Sequence, residues 1–323
     1  ALELLADRPA GEARDRQELA LCESQLSPLA SLHGYAAPRV GAAIERSVAL
    51  GERLGETTEA ARGRAALCWH RFVRGRMQEA VALGEGLASP TAPAGWHAQA
   101  LALPLFALGR HREALARLER LGEAPDADDR SLFGFRAGVL LHGARAHLHW
   151  LLGQREAATT SAAEALRLAD ASGHPFEAAI AHGYAAITHH LLGDPEATDE
   201  HAARVRRLST RYGFAYYGEW GRILAGRLTG GATGEALIRQ GIERLRQQHA
   251  GARLPFWLAL LAEVLAATGR SEEALRVLGE ARTWAEARGD RWWLAELWRL
   301  AAVLGPSEAA GAGLRQALAT ATE

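Results

Sequence analysis

The sequence predicts an all-α protein, a right-handed superhelical solenoid of about eight antiparallel helix pairs. Three observations predict it. A short phrase recurs seven times along the 323 residues: a small apolar stretch, a glycine, two or three polar residues, then Glu-Ala and another apolar helix. The glycines that carry it are regularly spaced. Strand signals are weak, because β-branched residues are sparse, Ala and Leu dominate and no stretch alternates cleanly.

The phrase reads VRGRMQEA at 73–80, ALGRHREA at 107–114, LLGQREA at 151–157, LLGDPEA at 191–197, LTGGATGEA at 228–236, ATGRSEEA at 267–274 and VLGPSEAA at 303–310. Its glycines Gly75, Gly109, Gly153, Gly193, Gly269 and Gly305 are 34, 44, 40, 76 and 36 residues apart, and the gap of 76 holds a further turn near Gly230. Each glycine follows one stretch of period 3.6 and precedes another, the arrangement of a helix C-cap and a short helix-helix connection. Second-helix ends are marked by Gly-Glu, Gly-His-Pro, Gly-Phe or Gly-Asp at 55–56, 173–175, 213–214 and 289–290. The pairs are expected at 13–55, 59–90, 93–122, 131–171, 175–212, 214–249, 254–288 and 291–320, with a short terminal helix after Pro306. SPTAP (89–93) and APDADDR (124–130) read as loops between helices. Such units stack neighbour on neighbour, as tetratricopeptide (TPR) arrays do.

Composition narrows the function. At 48% hydrophobic and 23% charged the chain buries a large core. Arginine supplies all 37 basic residues against 38 acidic ones, so the formal net charge of −1 gives no global field for nucleic acid or an anionic membrane. Without lysine there is no Schiff-base nucleophile and no phosphate loop ending in Gly-Lys-Ser/Thr. Two isolated cysteines, Cys22 and Cys68, fit a reducing cytoplasm better than a disulfide framework. No uninterrupted apolar run is long enough to span a bilayer. The sequence begins with Ala, so a piece of a longer polypeptide is expected.

Four phrases carry a more particular resemblance: LHGYAAPRVGAAIERSVALGERLGE (32–56), ASGHPFEAAIAHGYAAITHHLLGD (171–194), LPFWLALLAEVLAATGRSEEALRVLGEA (254–281) and RGDRWWLAELWRLAAVL (288–304). In this order they resemble the C-terminal TPR-like region of large bacterial signal-transduction ATPases with numerous domains. Those proteins often carry nucleotide-cyclase, kinase or helix-turn-helix output domains. The resemblance implies a sensor or scaffold arm that binds a small-molecule inducer, a peptide or a protein partner and biases an ATPase domain, in cis or in trans. No ATPase, cyclase, kinase or DNA-binding segment is recognisable in these residues.

The histidines are read through the repeat. LHGARAHLHWLLGQREA (141–157) aligns without a gap on AHGYAAITHHLLGDPEA (181–197), so His142 falls on His182, His149 on His189 and Trp150 on His190. Residues 4, 7, 8 and 11 before the turn glycine face the second helix of the same pair. His182 and His189 are therefore expected inside the hairpin as core histidines with hydrogen-bond partners. A metal site made with His142 and His149 requires two pairs on helices about 8–10 Å apart to converge on one ion, and none is expected.

Residues 3, 6, 10 and 13 before each turn glycine form the other stripe, expected to line the concave groove. They include Trp69, Phe72, Trp96, Gln99, Phe106, His147, Trp150, His190, Tyr217, Trp220, Arg227, Glu263, Trp292 and Arg299. Aromatic faces with a few polar groups suit peptide side chains, sugar rings or apolar plates; the alternative is that these large rings fill gaps between stacked hairpins and never meet solvent. Arg227 and Arg299 are placed either to meet an anionic ligand or, as helix arginines more often are, to be solvated or in a surface ion pair worth little, and at most one of the adjacent Trp292 and Trp293 is expected to face the groove.

Enzyme signals are lacking. There is no Gly-x-Ser-x-Gly elbow and no His-Glu-x-x-His helix. Glu263 and Glu296 lie at different offsets from their turns, which does not make a carboxylate pair. DADD (126–129) lacks the glycine and distal glutamate of a calcium loop. RVRRLSTRYG (204–213), flanked by Asp199 and Glu200, reads as a solvated helix face rather than a nucleic-acid stripe. The expected function is thus non-catalytic recognition without a cofactor. A constitutive assembly scaffold is the alternative, and a histidine-centred metal protein or helical-repeat enzyme the remote one.

Overall fold

Gly75, Gly109, Gly153, Gly193 and Gly269 close their repeats at positive φ, which a helix that reverses within three residues needs at its end, whereas Gly305 of the last pair is extended at φ −84°. Gly193 (φ 77°) shows the grammar in LLGDPEA. Its amide returns to His190 O at 3.1 Å and that of Asp194 to His189 O at 3.0 Å. Asp194 Oδ1 then accepts from Ala197 N at 3.0 Å, capping a helix that opens on Pro195, where a missing N–H costs nothing.

The computed structural model describes residues 5, 9–87, 94–120 and 131–322, except for the side chains of 94–99 and 307–309. Among the described residues there are sixteen helices and no strand, and the protein is an all-α solenoid. Unit one holds α1 (Glu12–His33) and α2 (Pro38–Leu54); unit two, α3 (Thr57–Val73) and α4 (Met77–Glu85); unit three, α5 (Ala94–Ala107) and α6 (His111–Glu119); unit four, α7 (Ala137–Leu151) and α8 (Arg155–Ser172). Unit five holds α9 (Pro175–Leu192) and α10 (Pro195–Tyr212); unit six, α11 (Tyr217–Thr229) and α12 (Gly231–Gln247); unit seven, α13 (Leu254–Ala267) and α14 (Ser271–Arg288); unit eight, α15 (Leu294–Leu304) and α16 (Ser307–Thr322). The terminal helix, expected to be short, is 16 residues long. SPTAP and DADD lie outside the described residues.

From unit two onward each first helix packs on the first helix of the next unit, and each second helix packs between the first helices that flank it. First helices therefore form the inner layer. Small residues set its curvature: a Cβ on Gly143 would lie 2.6 Å from the Tyr184 ring, and one on Gly183 would lie 3.2 Å from Tyr217. Those glycines let the rings of one unit lie flat on the helix of the unit before it.

The solenoid winds back onto itself after five units. The loops leading into α11, α13 and α15 donate backbone N–H groups to carbonyls at the ends of α1, α3 and α5: Ala215 N to Ser31 O (2.9 Å), Gly251 N and Ala252 N to Val73 O (2.8 and 3.0 Å), and Arg291 N and Trp292 N to Ala107 O (2.7 and 3.1 Å). Unit six thus sits on unit one, seven on two and eight on three. The last carbonyls of a helix have no partner inside it, and here the second turn supplies the donors.

Gly251 is a point of close backbone approach between the turns. A Cβ there would stand 2.9 Å from Arg74 O and 2.7 Å from the Trp284 ring. Gly251→Ala is expected to destabilise the protein by about 1–3 kcal/mol in urea unfolding, as overpacking does. Gly279→Ala is the control: its Cβ meets nothing within 4 Å, and relieving a glycine inside a helix stabilises by about 0.5–1 kcal/mol. Equal effects of the two substitutions would contradict the close approach.

Candidate functional site

Two turns of inner helices carrying rings on one stripe bring those rings together along the axis. Tyr35 is fully buried and sits edge-on to Trp69 (5.5 Å), Phe133 (5.0 Å) and Tyr216 (5.7 Å). The network continues through Tyr217, Trp220 and Trp257 to Phe256, Trp292 and Phe106, all buried. The seven predicted groove residues Trp69, Phe72, Phe106, His147, Tyr217, Trp220 and Trp292 are therefore buried (0–4% exposed) rather than lining an open groove. The correction has a physical cause: the radius is small enough for opposite walls to touch, so the stripe packs against itself. Trp96 and Gln99 lie on α5, outside the described side chains.

Arg253 fills the middle of this core at 2% exposure, a residue that sequence reasoning missed. It stands at φ 64°, in the left-handed region, just before α13. Its guanidinium carbon lies 4.9 Å from the ring of Phe106, 5.4 Å from Tyr184, 5.2 Å from Trp220 and 5.1 Å from Trp292. Its Nη2 donates to His147 Nδ1 at 3.2 Å. That makes Nδ1 the acceptor and leaves Nε2–H to donate to Tyr184 O at 3.1 Å, which fixes the neutral tautomer. Burial, and then the charge of Arg253, hold the His147 pKa well below the usual range. The backbone N–H of Arg253 donates to Asp290 Oδ2 at 2.7 Å. Asp290 is fully buried, and burial pushes its pKa up to about 7 against the pull of Arg253. No spacing in the sequence marks Arg253; its cage comes from units three to six and eight.

Five predicted residues remain partly accessible: Trp150, His190, Arg227, Glu263 and Arg299. They occupy the last two turns of α7, α9, α11, α13 and α15, one from each of units four to eight. Arg227 pairs with Glu263 at 2.6 Å and Arg299 with Glu296 at 2.6 Å, so both cations have carboxylate partners. The charge of Arg227 reaches His190 and that of Glu263 reaches Arg299, which joins the residues into one ladder. Trp150 stacks on Trp293 at 6.0 Å. Trp292 and Trp293 both turn inward, against the expectation for neighbours on a helix, because α15 begins only at Leu294.

The histidine pair His182 and His189 resolves within unit five. His182 and His189 pack on His201 of α10, with ring centroids 5.1 and 5.3 Å away, and His182 Nδ1 lies 3.0 Å from His201 Nδ1. His149 Nδ1 is bonded to Gln154 Oε1 at 2.6 Å. Among the described residues no group of three or more His, Cys, Asp or Glu is placed to hold a metal ion. No helix among them is long and apolar enough to cross a membrane.

Arranged in this way the chain has the fold of tetratricopeptide solenoids. No family model matches it. A stretch of 76 residues, 24% of the chain, is 41% identical to part of an uncharacterized protein of Rhizobium meliloti (strain 1021), of which it spans only 7%. Among solved structures, a Rap protein complexed with competence and sporulation factor is similar over 94% of this chain and 89% of that one, with TM-score 0.64 and 11% identity. A signal transduction ATPase with numerous domains that has a tetratricopeptide repeat sensor, from Pyrococcus horikoshii, is similar over 95% of this chain and 47% of that one, with TM-score 0.53 and 9% identity. At these identities the likeness is one of fold.

Burial lowers the pKa of His70, His111, His182 and His190 to about 4 in each case. Above the ordinary value of 6.5 both folded and unfolded chains hold these rings neutral. As pH falls below it the unfolded chain gains protons first, so stability is lost down to about pH 4. Each ring contributes a slope of at most about 1.4 kcal/mol per pH unit. Asp290 has the opposite sign over about pH 4–7 and offsets one of them. Urea unfolding is expected to show a stability that falls from pH 6.5 to pH 4.5, and a flat profile would contradict the buried neutral rings.

Proposed function

We propose that this chain is a non-catalytic recognition module, the sensor arm of a bacterial ATP-binding signalling regulator, acting on an ATPase domain in cis or in trans. The ordered phrases at 32–56, 171–194, 254–281 and 288–304 support that reading. So does the fold likeness to a solenoid that serves as a repeat sensor in an ATPase of this kind. The observation that carries it is the ladder of Trp150, His190, Arg227, Glu263 and Arg299, one rung from each of units four to eight.

Successive helices stand about 8–10 Å apart, and an extended chain rises about 3.3 Å per residue. One rung therefore matches about three residues, and the ladder suits an extended peptide of a protein partner better than a compact inducer. An aromatic rung, an imidazole and alternating charges supply side-chain discrimination without a deep pocket. Trp150 of unit four stacks on Trp293 at the entry to unit eight, so an occupant of this edge touches both ends of the ladder. It biases the pitch by its differential affinity for the two arrangements and by no more.

A second reading, a constitutive assembly scaffold, draws on the exposure of Val303 (62%), Leu314 (46%) and Leu318 (68%) on the terminal pair. One experiment separates the two. Dodecapeptides selected from a displayed library against the purified chain are expected to lose at least tenfold in affinity, about 1.4 kcal/mol, with Trp150→Ala and with Arg299→Ala. Selected peptides that bind both variants as well as the parent would contradict the ladder. Peptides that instead lose affinity only with Leu318→Glu would favour the scaffold.

A further inference from the structure

On the opposite edge of the second turn, the seam between turns is not fully closed. The end of α1 and the start of α2 face the start of α11 and the end of α12 across a hollow of about 530 Å³, whose walls include His33, Arg39, Glu219, Arg244, Gln247 and His249. A second hollow, about 500 Å³, shares Ala215, Glu219 and Arg244 with it and adds Arg206, Ser209 and Arg222 from units five and six. Each alone has the size of a ligand site. Joined, they form a trough that crosses from the first turn to the second.

Its charge is unbalanced. Four arginines, Arg39, Arg206, Arg222 and Arg244, share one carboxylate, Glu219. Glu219 is 7% exposed and accepts from Arg222 Nε at 2.8 Å, while Arg244 approaches its other oxygen only at 3.4 Å. Arg39 meets His33 Nε2 at 3.4 Å, and Arg206 makes no ion pair among the described residues. The neighbouring ridge is different: Arg239 pairs with Glu273 at 2.7 Å and Arg270 with Glu235 at 2.5 Å. The trough also holds the Ser209 hydroxyl, buried and without a hydrogen-bond partner.

We infer that this trough is a second docking site, for an acidic peptide segment of a protein partner, whose carboxylates are taken by Arg39, Arg206 and Arg244. Separated cations along two joined hollows match several carboxylates on one chain rather than a single small anion. The site is composite, with Arg39 from unit one and Arg206 and Arg244 from units five and six. It exists only in the register that places unit six on unit one, so its occupant holds the solenoid wound. The inference rests on the reading of the chain as a protein-recognition module, but on different residues from the ladder.

Fluorescein-labelled hexaglutamate titrated with the whole chain and followed by anisotropy tests it. Saturable binding is expected, weakened by added salt. Arg39→Gln and Arg206→Gln should each reduce affinity at least fivefold, and Arg239→Gln on the neighbouring, charge-paired ridge should change it less than twofold. No binding of hexaglutamate overturns the proposal, as does binding that only one of the two arginine variants weakens. Tighter binding of labelled hexathymidylate, weakened by the same variants, also overturns it and reassigns the trough to nucleic acid. Loss of the ladder reading leaves each of these outcomes unchanged, because none of the varied residues belongs to the ladder.

Discussion

The last carbonyls of an α-helix have no donor within the helix, and a buried one needs a donor from elsewhere. In this solenoid that need joins two turns. Ser31 O, Val73 O and Ala107 O, at the ends of three first helices, accept N–H groups from loops about 180 residues further along. Everything inside follows from that register. The inner stripes of both turns converge, the rings of units one to three meet those of units six to eight, and the axis becomes core.

Arg253 is the costly part of this arrangement. Burying a guanidinium beside a carboxyl carries a desolvation penalty that pairing alone seldom recovers. Here four ring faces surround it, and cation–π contacts strengthen when water is excluded. His147 accepts one of its hydrogens, and Asp290 holds the backbone in the strained φ of 64°. A hydrophobic residue would fill the same space, but it would not tie units three to six and eight to one point. The arginine therefore contributes specificity of winding more than stability.

How far the sequence foretells this depends on the range of the interaction. The phrase LLGDPEA spells out a C-cap, an N-cap and a first-turn proline, and each acts within seven residues. The hairpin position of His182 and His189 follows from their offset to Gly193, again a local matter. The shared stripe of Trp69, Phe106, Trp220 and Trp292 is legible too. Its burial is not, because that depends on a radius set by Gly143 and Gly183 and on a register between residues far apart in the chain. Arg253 follows Gly-Ala and precedes Leu-Pro, a context that reads as a solvated loop. Trp292 and Trp293 misled for a smaller reason, a helix start displaced to Leu294.

The winding register is tested most directly by amide hydrogen exchange at Ala252 and Trp292. Both amides lie in loops between helices, where exchange is ordinarily fast. If the second turn is closed on the first, both are protected to the level of neighbouring helix interiors such as Leu258 in α13. Exchange at the rate of an open loop would contradict the two-turn closure.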